Sequence, residues 1–105
     1  LEISVKTPLL VAALLLALAG PSHAQCGSRG VFVFSAHWCP ACRATEHFLT
    51  RNGIEHHRFE ITDNRQVQEF MRAHFGTTAI PVTVIDESYR VGYDVEWLQD
   101  ALCIR

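Results

Sequence analysis

"VFVFSAHWCPAC", residues 31–42, runs a β-branched and aromatic stretch directly into a pair of cysteines separated by Pro40 and Ala41. Val31 to Ser35 reads as a short, fully buried strand, because nearly every position is apolar and a two-sided core leaves no face for polar residues. Trp38 and the Cys39-Pro40 pair end it. Proline fits the first turn of a helix, where its missing N–H has no intrahelical partner. Ala41, Ala44, Thr45, Phe48 and Leu49 then recur at helical spacing until Gly53 supplies a stop. The stretch is thus a strand followed by a helix, with Cys39 at the helix N-terminus.

Downstream, Ile54 to Ile61 alternates as a strand, with Phe59 and Ile61 on one face and Arg58 and Glu60 on the other. Asp63 followed by Gln66 resembles a capping box, and Val67, Phe70, Met71 and His74 fall on one helical stripe before Gly76. Pro81 opens the run Val82 to Ile85. After Asp86-Glu87-Ser88 comes a second run, Tyr89 to Tyr93, at hairpin distance. Asp94 can cap a last helix carrying Val95, Trp97, Leu98, Ala101 and Leu102. The order is βαβαββα, an α/β domain. A helix between the first two strands implies a parallel pair, the hairpin adds antiparallel strands, and the result is a four-stranded mixed sheet flanked by three helices.

The first 24 residues differ in composition. Lys6 precedes a run from Leu9 to Ala19 made only of Leu, Val and Ala, and Gly20-Pro21 breaks it before Ser22-His23-Ala24. Small residues at the two positions a signal peptidase reads point to an export signal, residues 1–24, cleaved after Ala24. As a membrane anchor the run is too short: its residues, at about 1.5 Å each, cover about half of a roughly 30 Å hydrocarbon layer. The expected mature form, residues 25–105, is periplasmic or secreted, does not span a membrane and is expected to be monomeric. With 49% apolar residues and a formal charge of −2, the chain offers one small core and no basic field for nucleic acid.

Four cysteines in an exported chain of this size suggest disulfides. They are not equivalent, because Cys26 and Cys103 flank the expected mature domain while Cys39 and Cys42 are near neighbours. The attacking species in disulfide exchange is a thiolate, which the free N–H groups and dipole at a helix N-terminus stabilise at Cys39. His37, if protonated, acts in the same sense. Cys42, one turn along, can resolve the mixed disulfide that Cys39 forms. Two other chemistries share this spacing. A structural zinc site needs four ligands, and neither a second C-x-x-C nor a paired His motif is present; no metal site is expected from that pattern. Copper(I) needs only two soft thiolates, so a periplasmic copper carrier using Cys39, Cys42 and His37 is the alternative to an exported oxidoreductase. A purely structural disulfide is the third reading.

Three segments together resemble the glutaredoxins, members of the thioredoxin-fold superfamily: "VFVFSAHWCPAC" as the first strand with the dithiol site, "GTTAIPVTVID" as the segment before the third strand, and "VGYD" as the turn before the last helix. The resemblance implies a thioredoxin-like fold and thiol-disulfide exchange catalysed by Cys39 and Cys42. It implies that Pro81 is cis and that the backbone of Ile80 pairs with the substrate segment. Trp38, Ile80, Pro81, Gly92 and Asp94 would contact substrate, with Asp94 also capping the last helix. No tightly bound cofactor is implied, and glutathione would be a co-substrate. Disulfide-containing proteins or small thiols would be the substrates, with a redox donor or acceptor protein as partner.

The chain departs from the family pattern at Ala36, Ala41, Ala79 and Val91, which removes a carboxylate-binding cation and several polar contacts. Trp38 directly before the cysteine is the thioredoxin pattern; it could shield the thiolate, form a docking surface, or close the end of the sheet as a core residue. In such a fold the first strand begins and the last helix ends at the pole opposite the site. Cys26 and Cys103 are therefore expected to form a structural disulfide there, the alternative being that one of them forms an intermolecular disulfide or serves as an extra redox thiol.

Overall fold

The computed structural model describes residues 30–104. Its elements are β1 (Val31–Ser35), α1 (Pro40–Arg51), β2 (His57–Glu60), α2 (Arg65–Phe75), β3 (Val82–Ile85), β4 (Ser88–Val91) and α3 (Val95–Leu102). The sheet runs β2-β1-β3-β4. β1 and β2 are parallel, with Ser35 opposite Glu60, and the pairs β1–β3 and β3–β4 are antiparallel. The expected α/β architecture, a four-stranded mixed sheet with three helices, is what forms.

Alternation along β1 divides the core into two layers. Val31 and Val33 join Phe48 and Leu49 of α1, Ile85, and Leu98 and Leu102 of α3 on one side of the sheet. Phe34 joins Ile61, Met71 and Val82 on the other, where α2 packs. Both layers are needed because β1 is buried on both faces, as its uninterrupted apolar character requires. Outside the second layer, Phe59 stacks on Phe34 and Phe32. A cavity of about 570 Å³ beside α2 is walled by Phe32, Phe34, Phe59, Phe70 and Phe75, away from the cysteines.

Some boundaries differ from the sequence expectation. Asn64, not Asp63, caps α2 through its side-chain oxygen, which accepts from the Val67 N–H at 3.1 Å. Asp63 lies one residue outside, in the left-handed region at φ 53°. β4 begins at Ser88 rather than Tyr89, because the turn needs only Asp86 and Glu87, with Asp86 at φ 55°. Ala41, placed on the apolar stripe of α1, is exposed, whereas Cys42 takes the buried position beside it. Among the described residues no helix is long and apolar enough to cross a membrane. The expected export signal, residues 1–24, and Cys26 lie outside the described residues.

Candidate active site

β1 delivers the chain to a tight turn in which the Cys39 N–H bonds to the Ala36 carbonyl at 3.1 Å. Cys39 is the N-cap of α1, in extended conformation (φ −100°, ψ 112°), and Pro40 opens the first turn. The Cys39 Sγ accepts the backbone N–H of Cys42 at 3.2 Å. This sulfur therefore occupies the place of a capping oxygen, directed at N–H groups that carry the positive end of the helix dipole. Cys39 and Cys42 are joined as a disulfide with their Cα atoms 5.2 Å apart, so one turn of helix holds both sulfurs within bonding reach. Exposure separates them: Cys39 keeps 6% and Cys42 has none.

Ala36, Cys39 and Cys42 pack as one buried cluster against Ile80. The Ile80-Pro81 bond is cis, as the resemblance implied. Val82 pairs with Val91, and the Gly92 N–H donates to the Pro81 carbonyl at 2.7 Å, which fixes the β4 end beside the proline. Gly92 adopts φ +92°, a backbone region that favours glycine. Two residues on, Asp94 caps α3, its Oδ1 accepting from the Trp97 N–H at 3.0 Å. Its Oδ2 faces the Arg90 guanidinium at 3.6 Å. Both carboxylate oxygens of Asp94 are thus engaged within the fold.

Trp38 is 57% exposed, so it is not a core residue closing the sheet. Its indole N–H donates to the Thr62 Oγ1 at 2.9 Å. Thr62 in turn donates to Glu60, and Glu60 also accepts the His37 N–H at 3.4 Å and pairs with the His37 ring at 3.4 Å. Arg58 bridges Glu60, at 2.7 Å, to Glu46, at 3.1 Å, and Glu46 accepts from the buried Ser35 hydroxyl at 2.7 Å. The Glu60 carboxyl is held down to about 2, first by the Thr62 hydroxyl bond and then by Arg58 and the backbone N–H groups of Thr62 and His37, against some desolvation. The Glu60 bond raises Arg58 above its ordinary value.

None of Ser35, Glu46, Arg58, Glu60 and Thr62 was singled out as a site residue from sequence. The available signal was the alternation that puts Arg58 and Glu60 on one face of β2. Arg43 of α1 donates to the His37 carbonyl at 3.4 Å. Cys103 caps the far end of α3, next to Leu102, which packs with Val31 at the start of β1. Among the described residues no group of three or more His, Cys, Asp and Glu is arranged to hold a metal ion.

A glutaredoxin family model matches residues 31–90, more than half of the chain. The chain belongs to the glutaredoxin family. Solved structures agree with the fold. The glutaredoxin of Archaeoglobus fulgidus aligns with 26% identity and a TM-score of 0.63, over 69% of this chain and 84% of its own. The thioredoxin-like protein BC3987 aligns with 24% identity and a TM-score of 0.64, over 69% of this chain and 99% of its own. The glutaredoxin-like NrdH-redoxin of Escherichia coli aligns with 17% identity and a TM-score of 0.61, over 67% of this chain and 91% of its own. A search of curated proteins found no match. For a glutaredoxin, a cysteine pair at disulfide distance on the first helix supports thiol-disulfide redox chemistry.

Proposed function

We propose that this glutaredoxin is an exported thiol-disulfide oxidoreductase in which Cys39 exchanges with substrate and Cys42 resolves. The observation that carries the reading is the unequal setting of the two sulfurs. Cys39 caps α1 and keeps some exposure, while Cys42 is wholly buried behind it. In the reducing direction the Cys39 thiolate attacks one sulfur of a substrate disulfide, forming a mixed disulfide and expelling the other sulfur as a thiolate. The Cys42 thiolate then attacks the Cys39 Sγ and expels the second substrate sulfur. The substrate has gained two electrons, and the protein holds the Cys39–Cys42 disulfide. A donor protein or small thiol returns the electrons; run backwards, the same steps oxidise a dithiol.

Ile80, Pro81 and Gly92 supply the backbone wall beside the cysteines, and Trp38 supplies exposed apolar surface for docking. Disulfide-containing proteins and small thiols are the substrate class, with glutathione as a co-substrate and no tightly bound cofactor. At Asp94 a glutathione amino group would compete with Arg90. The reading of residues 1–24 as an export signal supports a domain in the periplasm or outside the cell, which we take to be a monomer with Cys26 and Cys103 as a structural disulfide.

Cys42→Ser tests the assignment. It should accumulate a mixed disulfide on Cys39 when mixed with a disulfide peptide, seen as a mass adduct that dithiothreitol removes, whereas Cys39→Ser should form none. Adducts on Cys42 in Cys39→Ser but none on Cys39 would reverse the roles. Stoichiometric, chelator-resistant Cu(I) on the reduced protein, with no exchange activity, would favour the metal carrier instead.

A further inference from the structure

Trp38 combines an exposed ring with an anchored polar atom. Its ring is more exposed than buried, and its one polar atom is fixed by a 2.9 Å hydrogen bond to Thr62. The acceptor is itself oriented. A threonine hydroxyl has one proton, and here that proton goes to Glu60, leaving a lone pair for the indole N–H. Glu60 is oriented in turn by Arg58, which Glu46 holds from the other side. The same Glu60 carboxylate accepts the backbone N–H of His37, and the Arg43 guanidinium holds the His37 carbonyl. The two residues immediately before Cys39 are therefore tied to β2, to the β2–α2 connection and, through Arg43, to α1.

We propose that Thr62, oriented by Glu60, is a positioning residue that holds the Trp38 ring ready to receive the substrate segment beside Cys39. The inference rests on the thiol-disulfide reading above and adds a determinant of substrate affinity outside the cysteine motif. An exposed aromatic side chain that is free to rotate must be immobilised when a partner docks, at a cost the tether has already met in the unbound protein. By the usual cost of ordering one such side chain, releasing Trp38 should weaken docking about two- to tenfold. The cysteines, their helix and the Ile80-Pro81 wall keep their own supports, so the chemical step should not change.

The test uses Thr62→Val, Thr62→Ser and Trp38→Phe in a Trp97→Phe background, in which Trp38 is the only tryptophan. Thr62→Val should enlarge the fast component of the Trp38 fluorescence anisotropy decay and raise KM for a disulfide peptide about two- to tenfold. The kcat and the Cys39–Cys42 reduction potential should stay at the parent values. Thr62→Ser should restore both anisotropy and KM. Thr62→Val should have no further effect on KM once Trp38→Phe has removed the indole N–H. Should Thr62→Val not fold, Trp38→Phe alone should show the rise in KM.

Unchanged anisotropy, a freed indole with unchanged KM, a loss confined to kcat, or no rescue by serine would each overturn the proposal. A parent protein without activity on the peptide would remove the functional reading and the docking role with it. The anisotropy comparison would then still report whether Thr62 holds the ring, so the two failures are distinguishable.

Discussion

Replacing Asp94 separates two roles that the sequence left superposed. As N-cap of α3, its Oδ1 accepts the Trp97 N–H at 3.0 Å, and its Oδ2 lies 3.6 Å from Arg90 on an exposed surface. Deleting a capping oxygen costs about 1 kcal/mol, within a range of about 0.5–2, whereas asparagine caps about as well as aspartate. The exposed ion pair adds at most about 1 kcal/mol and typically less. Asp94→Ala should therefore lose about 1–2 kcal/mol, and Asp94→Asn only the ion pair, less than about 1 kcal/mol.

For a domain of this size each kcal/mol corresponds to about 4–8 °C in Tm. Thermal unfolding followed by circular dichroism should then place Asp94→Ala clearly below the parent and Asp94→Asn close to it. The charge is read separately, from KM for a glutathione mixed disulfide. With Arg90 already facing Oδ2, Asp94→Asn should shift KM by no more than a few-fold, the range of an exposed charge pair. The reasoning fails if Asp94→Asn is as destabilised as Asp94→Ala, or if Asp94→Ala unfolds at the parent temperature.

Three further outcomes follow from the same geometry. The Glu60 carboxyl, held down to about 2 in the fold against an ordinary 4.5, contributes stability that is complete above about 4.5 and is lost as pH falls toward about 2. Glu60→Gln should flatten the pH dependence of the unfolding midpoint across that window, and an unchanged acid limb would refute it. Leu49, fully buried between Val33 and α3, should cost about 2–5 kcal/mol when cut to alanine, read by urea unfolding; a loss under about 1 kcal/mol would place it outside the core. Closing a loop of about 77 residues (103 minus 26) should stabilise the oxidised domain by roughly 4 kcal/mol, so Cys26→Ser should lower its Tm, and an unshifted midpoint would dismiss the bridge.

The fold was legible because apolar spacing alone divides this chain. β1 is apolar on both faces and must be central; α1 and α3 carry stripes that end in Leu49, Leu98 and Leu102, all buried. What periodicity did not resolve were positions where two adjacent residues have the same chemistry. Asp63 and Asn64 are both good caps, and the choice depends on which one can turn left-handed to bring the chain in from β2. In the same way Ser88 can belong to a turn or a strand. It joins β4 because its pairing with Ile85 closes the hairpin over two residues.

The site was legible where its residues are neighbours in sequence and illegible where the sheet brings them together. Cys39, Cys42 and the segment around Pro81 carry local signals: a capping position, a helical repeat, a proline before a strand. Ser35, Glu46 and Thr62 carry none, and Arg58 and Glu60 only the alternation of β2, because each is an ordinary polar residue where it stands. They meet only because β2 lies parallel to β1 with Glu60 opposite Ser35. That register places an acceptor beside the residues leading from β1 to α1, where His37 and Trp38 need partners. The parallel pairing of β1 and β2 thus does more than close the sheet. It holds the strand-to-helix turn from the side, so the ring beside the first cysteine is positioned by one continuous set of bonds reaching from the buried Ser35 hydroxyl to the exposed indole.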